Sequence, residues 1–192
     1  MAMRKRKKLL KKLHSIRSKG KYEIYFEDEV HFQRNTSIIR SWGLKGCAIE
    51  IKSPPVREKT SFLGAMGADN GQLITMEADR FCAISFRKFV ETILSRATTD
   101  KKILLVLDNA RFHHAKINKD FFASIHERLE LLFLPAYAPE LNPIEYLWKK
   151  TRRDVTHNRY FESHQEQRDC LKSYFKEFRR PNNVLTKLCA NI

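Results

Sequence analysis

The chain has no stretch of about eighteen apolar residues, so nothing in its 192 residues reads as a membrane span. Its basic N-terminus has none of the apolar core that marks a secretory signal, and a cytoplasmic location is the expectation. Cysteine is scarce and scattered. Cys47, Cys82, Cys170 and Cys189 form no CxxC pair, so their spacing offers no zinc site and reduced thiols are expected. There is no internal repeat, and no low-complexity segment beyond the basic start. Acid is missing from residues 1–22, which hold ten lysines and arginines and so carry ten of the fifteen net positive charges. Such an excess attracts polyanions without specifying which, and nucleic acid is the commonest partner of that kind. A solvated tail is the other reading.

What remains is a chain of one-domain length, 42% hydrophobic and 31% charged, able to bury a core. In residues 1–20, Leu9, Leu10, Leu13 and Ile16 fall at helical spacing among lysines, as in a basic amphipathic helix or the end of a linker. Lys21–Phe32 alternates as a strand, with Ile24, Phe26, Asp28, Val30 and Phe32 on one face. Glu27 and Glu29 fall on the other face, where they are expected to be solvated.

Short strand-like runs follow at Ala48–Ile51, Ser61–Ala68 and Gln72–Glu77, with a hairpin loop at Asp69-Asn70-Gly71. Ile84–Arg96 predicts a helix. Lys102–Asn109 is a continuous apolar run ending in an acid, the pattern of a parallel strand covered on both faces. A helix over Lys116–Leu129, a strand at Leu131–Leu134 and a helix from Pro143 to about His157 come next. The loop Pro135–Pro143 holds three prolines and cannot be helical throughout. Gln165–Arg179 predicts a last helix, ended by Pro181-Asn182-Asn183. This order suits an α/β fold, a mixed five-stranded sheet with helices on its faces.

Three acids stand out by position. Asp28 sits on the apolar face of its strand, where an ionised carboxylate is costly without compensation. Asp108 closes a buried strand at its carboxyl end, where open α/β sheets place their crevices. Glu145 begins the helix after the proline loop. Carboxylates converging from different elements are a framework for magnesium, which prefers oxygen ligands, and two such ions can drive an in-line phosphoryl displacement. Each acid alone has a second explanation: a salt-bridged strand residue for Asp28, a turn cap for Asp108, and for Glu145 a capping box behind Asn142 and Pro143.

The segments FEDEVHF (Phe26–Phe32), LVLDNARFHH (Leu105–His114) and LPAYAPELNPIEYLWKKTRR (Leu134–Arg153) resemble the DDE catalytic core of transposases. Within that group they most resemble the insertion-sequence branch of the Tc/mariner superfamily. The resemblance covers roughly residues 21–160. It implies a ribonuclease H-like fold, with Asp28, Asp108 and Glu145 as catalytic metal ligands for two Mg²⁺ or Mn²⁺ ions. It also implies cleavage at element ends and attack of the freed 3′-hydroxyl on target DNA, with TA as the family's common target.

Double-stranded DNA is then the partner, a dimer on DNA is expected, and the protein would be nucleoid-associated. Lys149, Lys150, Arg152 and Arg153 are candidate phosphate contacts or a solvated helical face. Asn109 and His113 could approach metals or DNA, or be loop residues. Tyr137 could stack on DNA or fill its loop. Trp42 and Gly43 resemble a family turn, with Trp42 read as a packing anchor.

The expected organisation is a basic tail or linker at 1–20, the catalytic domain at 21–160 and a helical extension at 161–192 packed on it. Full-length members carry N-terminal helix-turn-helix domains, for which this chain has no room. A fragment, or a partner chain that recognises the ends, is therefore expected. Two alternatives stay open: a ribonuclease H-like nuclease that hydrolyses without joining, and an inactive DNA-binding remnant.

Overall fold

Strand β1 (Tyr22–Gln33) is the centre of the sheet, and its neighbours decide what both of its faces touch. The computed structural model describes residues 2–46, 50–97, 100–136 and 138–189. Strands β2 (Lys59–Gly67) and β3 (Leu73–Glu77) follow in antiparallel order. Strands β4 (Lys102–Leu107) and β5 (Leu129–Phe133) add on the other side in parallel. The sheet order is β3-β2-β1-β4-β5. The hairpin between β2 and β3 turns at Asp69-Asn70-Gly71, where Gly71 takes a positive φ of 64° and Asn70 Oδ1 accepts from the Gln72 N–H. Of the strand-like run at Ala48–Ile51, Ala48 and Ile49 lie outside the described residues, and Glu50 and Ile51 are not in a strand.

Strand alternation sorts the core into two layers. Ile24, Phe26, Val30 and Phe32 of β1 join Leu104 and Val106 of β4 on one face. Helix α4 (Ile144–Thr151), helix α5 (His164–Lys176) and α6 (Asn183–Leu188) cover that face through Leu147, Trp148, Leu171, Phe175 and Leu185. Tyr25, Ile103, Leu105 and Leu107 point the other way, under Phe86, Phe89, Val90 and Ile93 of α2 (Ala83–Arg96). Both faces are therefore buried. This corrects the expectation that Glu27 is solvated: it is 0% exposed, because β1 is central and α2 roofs its second face.

The N-terminal basic segment is helix α1 (Ala2–Lys19). Leu9 and Leu13 are buried in the first core layer, while Lys7, Lys8, Lys11 and Lys12 are exposed. Arg6 and Arg17 reach Glu140 and Asp69 at 3.3 and 2.7 Å. Burial of its apolar stripe docks this helix on the sheet's own core.

The helix expected over Lys116–Leu129 is only α3 (Lys119–Ser124), preceded by a 3₁₀ turn, Lys116–Asn118. Asn118 is buried, and its side chain donates to the Ala83 carbonyl at 2.8 Å, a tertiary bond that outweighs local helical pattern. After α4 the chain widens into a π-turn, Arg152–Thr156. Trp42 is fully exposed, beside exposed Ile38 and Leu44, which corrects its reading as a packing anchor. Its loop is fastened from below by Asn158, whose side chain bonds the Ile39 N–H and C=O, so the indole is not needed to hold it.

Candidate active site

Asp28 and Asp108 share a face by strand parity. β1 and β4 run parallel and align Phe26 with Val106, so each acid stands two residues further along its strand. The third acid arrives on α4, whose start is fixed to β1. Asn142 is buried and its Nδ2 donates to the Glu27 carbonyl at 2.8 Å, one residue before Asp28. Asn142 therefore does not cap the helix. The N-cap position is Pro143, already helical and without a side-chain cap bond, which corrects the capping-box reading of Glu145. A buried β1 carbonyl needs a donor, which Asn142 Nδ2 supplies, while the Asn142 Oδ1 that a cap would use has no hydrogen-bond partner.

The result is one cleft of about 350 Å³, with Asp28, Asp108 and Glu145 in its wall beside Asn109, Asn142 and Pro135. Asp28 is held by Trp148, whose indole N–H donates to Oδ2 at 3.0 Å. Burial, then the facing charges of Glu145 and Glu29, push the Asp28 carboxyl up to about 8 despite hydrogen bonds from the Glu29 backbone and Trp148. Asp108 has a half-exposed side chain (54%), and its Oδ1 accepts from the Ala110 N–H at 2.7 Å. The His113 hydrogen bond, against partial burial, holds it below the usual carboxylate range.

These acids do not yet converge to chelating distance. Among the described residues, the group with its ligand atoms all within 4.8 Å of one another is Glu27, Glu29 and His113. The charge of Glu145 acts on the buried Asp28, an arrangement that burial penalises and a divalent ion would relieve. Their all-oxygen donor set fits Mg²⁺ or Mn²⁺.

Behind the cleft, His113 Nε2 lies 3.0 Å from Glu29 and 3.6 Å from Glu27, and Nδ1 lies 3.3 Å from Asp108. Burial opposes charge on His113, but the bonds to Asp108 and Glu29 win and raise it to about 10. Glu27 is raised well above its usual value by burial first and by the Glu29 charge next. Neither of its oxygens has a hydrogen-bond partner, so the neutral form is the one that burial favours. His113 is open in the sequence as a residue that could approach metals or DNA or sit in a loop, whereas Glu27 escapes assignment. The signal was present: two acids on the second face of a strand that sits beside a doubly buried one.

The other sequence candidates are elsewhere. Asn109 lines the cleft, but its amide is spent on the Leu134 carbonyl. Lys150 and Arg153 pair with Asp154 at 2.5 and 3.5 Å. Arg152 lies 5.6 Å from the Phe32 ring centroid and Lys149 lies 5.4 Å from that of Tyr146. None of these four lines the cleft. Tyr137 is outside the described residues.

A mixed sheet of this order, with one acid within β1, one just past the end of β4 and a third on the covering helix, is ribonuclease H-like. Solved structures agree: the Mos1 transposase paired-end complex with left transposon end aligns with a TM-score of 0.71 at 16% identity, covering 98% of this chain and 58% of that one. The catalytic domain of Mos1 mariner transposase aligns with a TM-score of 0.65 at 15% identity, covering 98% and 85%.

The chain belongs to the DDE superfamily endonucleases, whose family pattern matches residues 23–168. It is 22% identical over 139 residues to the "Insertion element IS630 uncharacterized 39 kDa protein" of Shigella sonnei, covering 72% of this chain and 40% of that protein. It is 36% identical over 61 residues to the "Transposable element Tcb2 transposase" of Caenorhabditis briggsae, covering 32% and 22%. The chain thus spans less than half the length of these two relatives. Among the described residues, no helix is long and apolar enough to cross a membrane.

Proposed function

We propose that this chain is the catalytic part of a transposase that cuts and rejoins double-stranded DNA, using Asp28, Asp108 and Glu145 to hold two divalent metal ions. The observation that carries this reading is the meeting of these three acids, from β1, β4 and α4, in one cleft of a DDE superfamily endonuclease. The three carboxylates would hold Mg²⁺ or Mn²⁺, which when bound would supply activation of the attacking oxygen and neutralisation of charge on the leaving one.

The chain's own residues do the rest. Trp148 keeps Asp28 aimed at the cleft by its indole N–H, and the Ala110 N–H does the same for Asp108. Glu145 stands in the first turn of α4, on the helix that covers β1. Asn142 ties that start to β1, so helix and strand present their acids together. The exposed lysines of α1, and Lys149 and Arg153 beyond the cleft, neutralise backbone phosphates. In this reading the protein works as a dimer that brings two DNA ends together. End recognition comes from helix-turn-helix domains on a longer or separate chain, and the protein is nucleoid-associated.

The test is incubation of supercoiled plasmid and 3′-hydroxyl-labelled duplex with the protein and Mg²⁺ or Mn²⁺. Nicking plus joined products is expected, with Asp28→Asn, Asp108→Asn and Glu145→Gln each abolishing both while melting cooperatively. Nicked but never joined DNA means a nuclease that only hydrolyses. Full activity in any one variant removes that residue from the site.

A further inference from the structure

Beyond the acids themselves, the cleft needs something to fix the distance between its two strand-borne carboxylates. The parallel ladder between β1 and β4 ends at Phe26 and Val106, two residues before Asp28 and Asp108. Past that point, Asp108 begins a loop whose Asn109 amide leans toward Leu134, away from β1. The connection back to β1 is made by one buried imidazole. His113 is 3% exposed, on the short 3₁₀ turn Arg111–His114, clasped by Phe86 and Phe112 with ring centroids 4.4 and 4.3 Å away. Its Nδ1 hydrogen-bonds the Asp108 main-chain carbonyl at 3.3 Å and lies 3.3 Å from Asp108 Oδ1, and its Nε2 lies 3.0 Å from Glu29 Oε1. Glu29 is the residue after Asp28.

We infer that His113 is a positioning residue, a brace that joins the Asp108 loop to β1 through Glu29 and so sets the spacing of Asp28 and Asp108. The brace is built like an outer-shell partner of a metal site: a ring whose two nitrogens are both engaged, one by the ligand and one by a carboxylate anchored in the sheet. Its rigidity comes from aromatic packing on either side. The nearby Glu27 completes a group that is itself close enough to hold an ion. The brace is favoured because both imidazole nitrogens already have partners. This inference rests on the reading of the cleft as the metal site.

The experiment is Mn²⁺ binding to the full chain, followed by electron paramagnetic resonance of the free ion, with ¹⁵N-histidine spectra of the same samples. Glu29→Gln, which keeps side-chain volume, and His113→Ala are each expected to weaken Mn²⁺ binding about ten- to a hundred-fold without changing the number of ions bound. In the spectra, Glu29→Gln should shift His113 Nε2 and Asp108→Asn its Nδ1. Unchanged affinity in both Glu29→Gln and His113→Ala, with binding still dependent on Asp108, overturns the brace alone. A site lost in Glu29→Gln and kept in Asp28→Asn and Glu145→Gln means that the ion sits in the Glu27 group, and also overturns it. A wild-type chain that takes up no Mn²⁺ removes the cleft reading and the brace with it.

Discussion

Trp148 and Asp28 are joined across the first core layer by a 3.0 Å hydrogen bond from indole Nε1–H to Oδ2. The ring is almost wholly buried and packs edge-on against Phe175, with centroids 6.0 Å apart. Removing the indole donor leaves a buried Asp28 oxygen unsatisfied, which costs about 1–3 kcal/mol. Trp148→Phe should therefore lower the melting temperature by about 5 °C, on a scale of roughly 2–4 °C per kcal/mol for a chain of this size. It should also raise the Mn²⁺ concentration needed for half-maximal nicking, since Asp28 loses the donor that favours its ionised form. An unchanged metal requirement in a destabilised protein would mean that the indole serves packing only.

The indole fits because the residue opposite Asp28 in the β1–β2 ladder is Gly64. A Cβ built there would stand 2.4 Å from Trp148 Cη2 and 2.6 Å from Cζ2, and 3.2 Å from the Ile144 Cδ1. These neighbours are buried and cannot swing aside. Gly64→Ala should cost about 1–3 kcal/mol through overpacking. Phenylalanine at 148 lacks the second ring that meets the added methyl. The Gly64→Ala/Trp148→Phe double variant should then be more stable than the sum of the single effects allows, by more than about 0.5 kcal/mol. Additive melting data would show that glycine at 64 has no part in seating the ring.

Cysteine reactivity supplies a pH-dependent check on the second face. Ser85 hydrogen bonds, backbone first and then side chain, lower the Cys82 thiol at the partly exposed start of α2, whereas burial pushes Cys189 up to about 12. The thiolate is the reactive form, so a lowered value means more of it at a given pH. At pH 7.5 iodoacetamide should label Cys82 well before Cys189 in peptide maps, and Ser85→Ala should slow Cys82 while moving its pH profile upward. Equal rates at the two positions would contradict this local environment.

How far the sequence reveals all this depends on which interactions are local. Alternation in Tyr22–Gln33 finds the face that carries Asp28, and the apolar run Lys102–Leu107 finds the strand end that carries Asp108, because these are properties of single strands; that the two acids share a face follows only from the β1–β4 register. Glu27 fails by the same logic: alternation finds its face, but only the sheet order reveals that this face is roofed by α2. Asn142 looks like a helix starter, yet its Nδ2 goes to the Glu27 carbonyl on β1, and Asn118, at the start of α3, likewise bonds the distant Ala83 carbonyl. His113 stands out in the sequence only as a residue that could approach the site or sit in a loop, and its partners are hidden for a related reason. Its partners Glu29 and Asp108 sit on different strands, and their pairing exists only once β1 and β4 lie side by side.

Helix α1 offers a test in which stability and DNA affinity should separate. Leu13 is 2% exposed in the first core layer, and Leu→Ala at such sites costs about 2–5 kcal/mol. Leu13→Ala should lower the melting temperature by several degrees with no change in the salt dependence of DNA binding. Lys7, Lys8, Lys11 and Lys12 are exposed on the same helix that buries Leu9 and Leu13. Replacing all four with glutamine should leave the melt within about 1–2 °C while weakening duplex binding. Every phosphate that these lysines cease to neutralise makes the slope of log K against log salt shallower by about 0.9, so the slope is the decisive quantity and not the affinity at one salt concentration. A quadruple variant that keeps the wild-type slope would remove α1 from the DNA interface and leave it as a packing helix. A Leu13→Ala chain that melts like the wild type would instead detach the helix from the core.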